Sequence, residues 1–408
     1  MENTPVSVII PAWNNWALTK DCLAALAAHT PLEALQVIVV DNGSTDETAL
    51  AGPAHGAALF GERYGQVRLP GNRGFAAACN RGAQAASGRF LFFLNNDALA
   101  ETGWLDPLVE AMRGDPSLAG AGPVLTFPKD GGVNAGRIQH LGIAVSGGPE
   151  FRHLYELFPA SHEACRKTRR MQIITAAAML VPAKLFAGLG GFYEGFVNGM
   201  EDVDFCCRAA KNGGRFAVVP KSRAVHLTNR TAGRFDREGD NLRLLVSRRH
   251  APLEDLCGFA AADGYVPFFT PWLDLILVPG PERAAAIKAS WAADPDPARL
   301  PELLEKEPLW DEGYVLWGRA DPAKALTAAG LRAALIPGEE AFVMNAALLK
   351  RAGLKELSAK NLNYVKGIRT LMADAEALSR KARNLERKTR DQAALAALQA
   401  WKSGQGAP

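Results

Sequence analysis

Four short apolar runs in the first hundred residues, each closing on a polar or glycine cluster, constrain the fold more than any other feature. Val6–Ile10 ends at Pro11-Ala12-Trp13-Asn14, and Val37–Val40 ends at Asp41-Asn42-Gly43-Ser44. Val67–Leu69 precedes Gly71-Asn72-Arg73-Gly74, and Phe90–Leu94 precedes Asn95-Asn96-Asp97. Val6–Ile10, Val37–Val40 and Phe90–Leu94 each have the length of one buried strand, and Val67–Leu69, interrupted by Arg68, is a candidate for another. Between them lie helical patterns: Leu18, Cys22, Leu23 and Leu26 share one face, and Phe75 to Ala86 is alanine-rich. Continuous apolar strands alternating with helices predict a mostly parallel sheet covered on both faces. In such a sheet ligands bind outside the carboxyl ends of the strands. The four polar clusters are therefore expected to line a common crevice.

Further strand-like runs follow at Ala121–Phe127, Ile173–Val181, Phe216–Val219 and Ala224–Leu227. Asp202 to Asn212 predicts a helix that stops at Gly213-Gly214. After about residue 235 the texture changes. Proline-punctuated linkers at 278–281 and 294–297 lead into alanine- and leucine-rich stretches over 299–353 that suggest stacked helical hairpins, one resembling a tetratricopeptide-type unit. Residues 354–402 predict one or two long polar helices, with Leu371, Leu378 and Leu385 at heptad spacing. The expected organisation is an α/β domain over 1–235, a connecting segment over 236–298 packed on it, and an all-α, repeat-like region over 299–408 with a basic tail.

Hydrophobic residues make up 48% of the 408 and charged residues 22%, the balance of a soluble globular protein. No apolar run approaches the ~20 residues that span a bilayer, and the N-terminal residues lack a secretory pattern. The six cysteines are scattered without a CxxC pair, which fits a reducing cytoplasm better than a disulfide framework or zinc site. The net charge of +3 is uneven: residues 350–402 hold thirteen Lys or Arg against five Asp or Glu. No nucleic-acid-binding motif accompanies that charge, so nucleic acid is not an expected partner. The basic helices suit either peripheral contact with an anionic membrane face or packing in a homo-oligomer.

The segments "VSVIIPAWN", "VIVVDNGSTDET", "GNRGFAAACNRGAQAASGRFLFFLNNDA" and "EDVDFCCRAAKNGGRFAVVP" with the later "AVHL" resemble, in order and spacing, the family 2 glycosyltransferases of the GT-A fold. They are most similar to the rhamnosyltransferase-like branch that builds polysaccharides of the bacterial cell envelope. The resemblance covers residues 5 to about 230 and says nothing about 250–408. It implies a nucleoside-diphosphate sugar donor, a glycan or lipid-linked glycan acceptor, and a divalent metal, Mn²⁺ or Mg²⁺. It further implies that Asp41 accepts hydrogen bonds from the nucleotide base, with Pro11 and Trp13 bordering the same pocket. Asn72 and Arg73 would face the sugar or diphosphate, for which a guanidinium's planar fork is suited.

Asn95-Asn96-Asp97 stands where the family has its Asp-x-Asp motif. A divalent cation on a diphosphate takes one or two protein carboxylates. Asp97 offers one; Asn95 and Asn96 offer neutral oxygens or contacts to the donor sugar. By the same resemblance His226 completes the metal site. Asp202 is implied as the general base that takes a proton from the acceptor hydroxyl in an inverting transfer, and Glu201 as its support, although acids in a first helical turn also serve the macrodipole. His140 and Thr175 are weaker acceptor-side candidates, and Cys206 and Cys207 read as helix packing. Two rivals remain open. A sugar-nucleotide pyrophosphorylase would need a glycine-rich loop with Arg and Lys, which "VIIPAWNNWALTK" lacks. A non-catalytic scaffold would bind sugar nucleotide and use its helical C-terminal region for protein interaction.

Overall fold

Side-chain alternation along the apolar runs builds two cores, one on each face of a single large sheet. In the computed structural model, which describes residues 6–31, 35–130, 132–147, 150–227, 237–248, 250 and 252–404, Ile9, Ile38, Val40, Leu91 and Phe93 belong to one buried cluster. Val8, Ile10, Val37, Val39, Phe92 and Leu94 belong to the other. Strands with both faces buried read as unbroken apolar runs, which is why they were legible.

The strands, in chain order, are β1 (Val6–Ala12), β2 (Leu35–Asp41), β3 (Tyr64–Arg68), β4 (Phe90–Leu94), β5 (Ala98–Ala100), β6 (Leu118–Thr126), β7 (Ile138–His140), β8 (Ile143–Ser146), β9 (Glu150–His153), β10 (Arg169–Met171), β11 (Ala178–Pro182) and β12 (Arg215–His226). The sheet order is β10-β12-β6-β11-β4-β1-β2-β3, with β5 on β12 and β7 on β6. β4, β1, β2 and β3 pair in parallel, as do β6 and β12. β11 runs antiparallel between β4 and β6. β8 and β9 form a separate antiparallel hairpin. The result is the expected α/β architecture of a mostly parallel sheet with helices, followed by a helical C-terminal region.

Three expectations shift. β3 begins at Tyr64, not Val67, because it pairs with β2 from Val37↔Tyr64 to Asp41↔Arg68. The two runs at 216–219 and 224–227 form one strand, β12, with a register break between Val219 and Arg223. Of Ile173–Val181 only the second half joins the ladder. The amides of Thr175, Ala176 and Ala177 donate instead to side chains of His140, Asp202 and Thr175.

The first helices are α1 (Trp16–His29), α2 (Thr48–Phe60), α3 (Phe75–Ala85), α4 (Leu105–Gly114), α5 (Ala183–Gly188) and α6 (Glu201–Lys211). The expected domain boundary at 235 lies outside the described residues. Beyond it come α7 (Glu238–Ser247), α8 (Leu256–Ala262), the hairpin β13 (Tyr265–Phe269) with β14 (Leu275–Pro279), and α9 (Pro281–Ala293). The hairpin was not anticipated, because Pro267 demotes its run as a strand. Four helices cover 300–351, and three cover 355–402, broken where Asp374 and Asp391 cap new starts. Ile287, Leu300, Leu303, Trp310, Tyr314 and Leu331 share a small core of their own. Leu256, Tyr265, Phe269, Leu309, Ala382 and Leu398 instead join the main core with Ile9 and Phe93, so the C-terminal half packs on the sheet domain. Among the described residues no helix is long and apolar enough to cross a membrane.

α6 is pinned by Asp204, which is fully buried and accepts from Arg208 Nε (2.8 Å), from His250 Nε2 (2.7 Å) and from Arg248. Burial pushes the Asp204 carboxyl up, but hydrogen bonds from Arg248, His250 and Arg208 outweigh it and hold it below the usual range. A carboxyl lowered on folding stabilises the fold above its unfolded pKa of about 3.9, and that contribution fades as pH falls through the lower folded value. Asp204→Asn should therefore cost about 3–5 kcal/mol in urea melts at pH 7. The difference from wild type should shrink once the pH falls below about 3.9.

Candidate functional site

The carboxyl ends of β1, β2 and β4 and the start of α6 meet around one cleft of about 650 Å³, lined by Pro11, Trp13, Asn72, Asp97, Asp202 and His226 among others. Pro11 is the sixth residue of β1, and Trp13, 38% exposed, stands at the rim. Asn42, which follows β2, clamps the neighbouring loop. Its Oδ1 accepts from Arg73 N–H (2.8 Å) and its Nδ2 donates to Asn72 Oδ1 (3.0 Å) and Gly74 O (3.1 Å). The two loops approach so closely that a Cβ on Gly43, at φ +77°, would lie 2.3 Å from Gly71 Cα. Only glycine tolerates both the left-handed backbone and that contact. Gly43→Ala should push the loops apart and cost about 1–3 kcal/mol in urea melts.

Two expected donor-side residues are placed otherwise. Asp41 is fully buried and does not line the cleft: Oδ1 accepts from Ser44 N–H (2.7 Å) and Oδ2 from Arg68 Nη1 (2.8 Å). It shapes the loop from beneath. Arg73 is exposed on that loop and outside the cleft lining.

The Asn95-Asn96-Asp97 triplet divides its labour. Asn96 Nδ2 donates to Thr19 Oγ1 (2.9 Å), which fastens the turn to α1. Asn95 N–H donates to Ala177 O, and its Nδ2 lies 3.2 Å from His226 Nε2. Asp97 Oδ1 lies 3.0 Å from the same His226 Nε2. His226 ends β12, and its orientation is set by Gln139, a residue the sequence analysis did not single out although it adjoins His140. Gln139 Nε2 donates to the His226 carbonyl (3.1 Å), which can only accept, so Gln139 Oε1 must be the atom receiving His226 Nδ1–H (2.6 Å). In a neutral ring Nε2 is then a lone pair facing a carboxylate oxygen. Asn95 Nδ2, 3.2 Å away, can donate to that lone pair, so a carboxylate oxygen and an imidazole nitrogen lie side by side at the cleft.

Asp202 stands half-buried in the first turn of α6, with Oδ2 accepting from Ala176 N–H (3.0 Å) and Oδ1 from Val203 N–H (2.8 Å). Glu201 is buried and accepts from Gly199 N–H (2.7 Å). Asn198 (φ +51°), Gly199 (φ +157°) and Met200 (φ +73°) all take positive φ immediately before it. Asn198 and Met200, the two that are not glycine, persist there only where the surroundings over-determine them, and such positions cluster at functional sites. The bridge Thr175–Ala177 ties this end to the other: Ala176 holds Asp202 while Ala177 holds Asn95. His140 is buried, accepts from Thr175 N–H (3.3 Å), and sits 2.9 Å from His153 across their Nδ1 atoms. Burial, then the charges of His153 and His226, push it well below the usual histidine range. Cys206 and Cys207 are buried thiols with burial pushing both up, Cys207 to about 11, as helix packing predicts. Among the described residues the cleft lining includes the acids Asp97, Glu156, Glu201, Asp202 and Glu238 and no Lys or Arg.

Comparison with known proteins comes to the same stretch. The chain is 30% identical over 243 residues to the O-antigen biosynthesis protein RfbC of Myxococcus xanthus, covering 55% of this chain and 18% of that protein. It is 28% identical over 223 residues to the pre-mycofactocin glycosyltransferase of Mycobacterium tuberculosis, covering 54% and 42%. The chain thus spans less than half the length of these relatives. Among solved structures it is similar to the mannosyltransferase PcManGT from Pyrobaculum calidifontis in complex with GDP-Man and Mn²⁺, at 21% identity and TM-score 0.45 over 80% of this chain and 86% of that one. The family model described as glycosyl transferase family 2 matches residues 7–172, from β1 through β4 and on past β10, so it is this stretch of the chain that is similar to glycosyl transferase family 2.

Proposed function

We propose that the cleft transfers a sugar from a nucleoside-diphosphate sugar to a hydroxyl of a glycan or lipid-linked glycan, with inversion. The observation that carries this is the joining of Asp202 and the Asp97–His226 pair in one cleft through the Thr175–Ala177 bridge. Trp13 and Pro11 border the nucleotide base, and the loop clamped by Asn42 flanks the diphosphate. Asp202 takes the proton of the attacking hydroxyl; two backbone amides keep its carboxylate in place, which removes the need to reorient it during the reaction. Glu201 holds the 198–200 turn and so fixes where α6 begins.

The residues present fit a divalent cation. Among the described residues no group of three His, Cys, Asp or Glu forms a ready cage, but Asp97 and His226 offer two hard-enough ligands, and Mg²⁺ or Mn²⁺ takes its remaining oxygens from phosphates and water. The described lining includes five acids and no Lys or Arg, so it offers the diphosphate no Lys or Arg counter-charge. A cation held there would neutralise charge on the leaving diphosphate. Gln139→Leu removes the hydrogen bond that orients His226, and should weaken Mn²⁺ or Mg²⁺ affinity about 10–100-fold in titrations with nucleotide present.

The test is release of nucleoside diphosphate from UDP-, dTDP- and GDP-sugars with neutral alkyl glycosides as acceptors. Wild type should exceed Asp202→Asn with at least one pair. Equal background rates throughout would overturn the transferase reading and leave the sugar-nucleotide-binding scaffold in its place.

A further inference from the structure

The β8–β9 hairpin and the turn after it form one wall of the cleft: Ile143, Phe151, His153 and Glu156 all line it. Besides its contacts with His140 and Ile173, this wall is tied at three places to the C-terminal half. Asp255 Oδ1 accepts from Val145 N–H (2.8 Å), and Asp255 N–H donates back to Val145 O (3.0 Å). Arg152 Nη1 donates to Leu275 O (2.5 Å). Tyr155 Oη donates to Asp263 Oδ2 (2.6 Å).

The third tie bears on the cleft most directly. Tyr155 takes φ +52° and Leu157 φ +66°, left-handed values that bulky side chains adopt only when their surroundings impose them. Tyr155 points away from the cleft, its ring stacked on Phe158 with centroids 4.8 Å apart. His153 and Glu156, on either side of it, face the cleft. Asp263 lies just after α8, has a side chain 1% exposed, and also accepts from Lys167 Nζ and Arg169 Nη2, each at 2.6 Å. Two cations thus lock the carboxylate that locks Tyr155. The lining at this end is a carboxylate, imidazoles and an aromatic ring, without a described cation. That chemistry suits the hydroxyls and apolar face of a neutral sugar and repels an anionic one.

We propose that Asp263 is a positioning residue for the acceptor: it holds Tyr155 in the left-handed turn, so that His153 and Glu156 meet a neutral, polyhydroxylated acceptor sugar. This rests on the transferase reading above. It assigns the C-terminal half a part in acceptor recognition, although Asp263 lies outside the stretch matched by the family model.

The test uses the full chain in four forms: wild type, Asp263→Asn, Tyr155→Phe, and Asp311→Asn, which weakens the Arg332 ion pair elsewhere in the C-terminal half. Hydrogen exchange of amides 150–158 should speed up at least ten-fold in Asp263→Asn and less in Tyr155→Phe. With neutral octyl glycosides as acceptor probes, KM for the acceptor should rise at least five-fold with kcat within two-fold. The melting shift induced by UDP, dTDP or GDP should stay as in wild type. Asp311→Asn should change neither exchange at 150–158 nor acceptor KM. Should Asp263→Asn fail to fold, Tyr155→Phe reads the same quantities. Unchanged exchange, or raised exchange with unchanged acceptor KM, overturns the role of Asp263 while wild-type turnover stands. No turnover in wild type with any donor and acceptor overturns the transferase reading, and the acceptor role with it.

Discussion

Asp202→Asn should lower kcat by about 10²–10⁴-fold, the range that a positioned general base contributes, while nucleotide still raises the melting temperature as in wild type. The substitution is nearly isosteric and keeps one side-chain oxygen, which can accept from the amide of either Ala176 or Val203 but no longer from both. It removes the charge that receives the acceptor's proton. Loss of turnover with retained binding therefore separates the base from the scaffold that carries it. A KM effect alone, with kcat intact, would assign Asp202 to binding and not to proton transfer.

Asp97→Asn should abolish the part of nucleotide binding that depends on Mn²⁺ or Mg²⁺. The wild-type pair sets a carboxylate 3.0 Å from the His226 Nε2 atom, whose ring is oriented by Gln139. The variant places a third neutral group beside Asn95 and His226, with no negative charge to attract a cation. A nucleotide present at 100 times its Kd stabilises the protein by about 2.7 kcal/mol. In wild type most of that shift should require the metal; in Asp97→Asn the shift should be small and the same with EDTA as with Mn²⁺. A full metal-dependent shift in the variant would place the cation elsewhere.

Much of this arrangement was legible in the sequence, for a definite reason. β1, β2 and β4 are buried on both faces, so they appear as unbroken apolar runs, and the crevice rule then locates the cleft beside Trp13, Asn72 and Asp97 without any side-chain geometry. Asp202 and His226 could be named from the resemblance; Asp202 stands in the first turn of α6 and His226 ends β12. What stayed hidden depends on contacts between distant segments. Asp41 reads as a ligand-facing residue, yet Arg68, 27 positions on, turns its carboxylate beneath the loop. Gln139 acquires meaning only once β7 lies beside the end of β12. Ile173–Ala177 has the composition of a strand, but its amides serve His140 and Asp202, a competition no local pattern records. The same holds for Tyr155, whose left-handed turn is set by Asp263, 108 residues away.

The most direct measurement is the anomeric configuration of the sugar transferred to a neutral alkyl glycoside, read by proton NMR of the isolated product. A single displacement with Asp202 as base predicts a product inverted relative to the donor. Retention of configuration would contradict it, because a retained product requires a route other than one direct attack by the hydroxyl that Asp202 deprotonates.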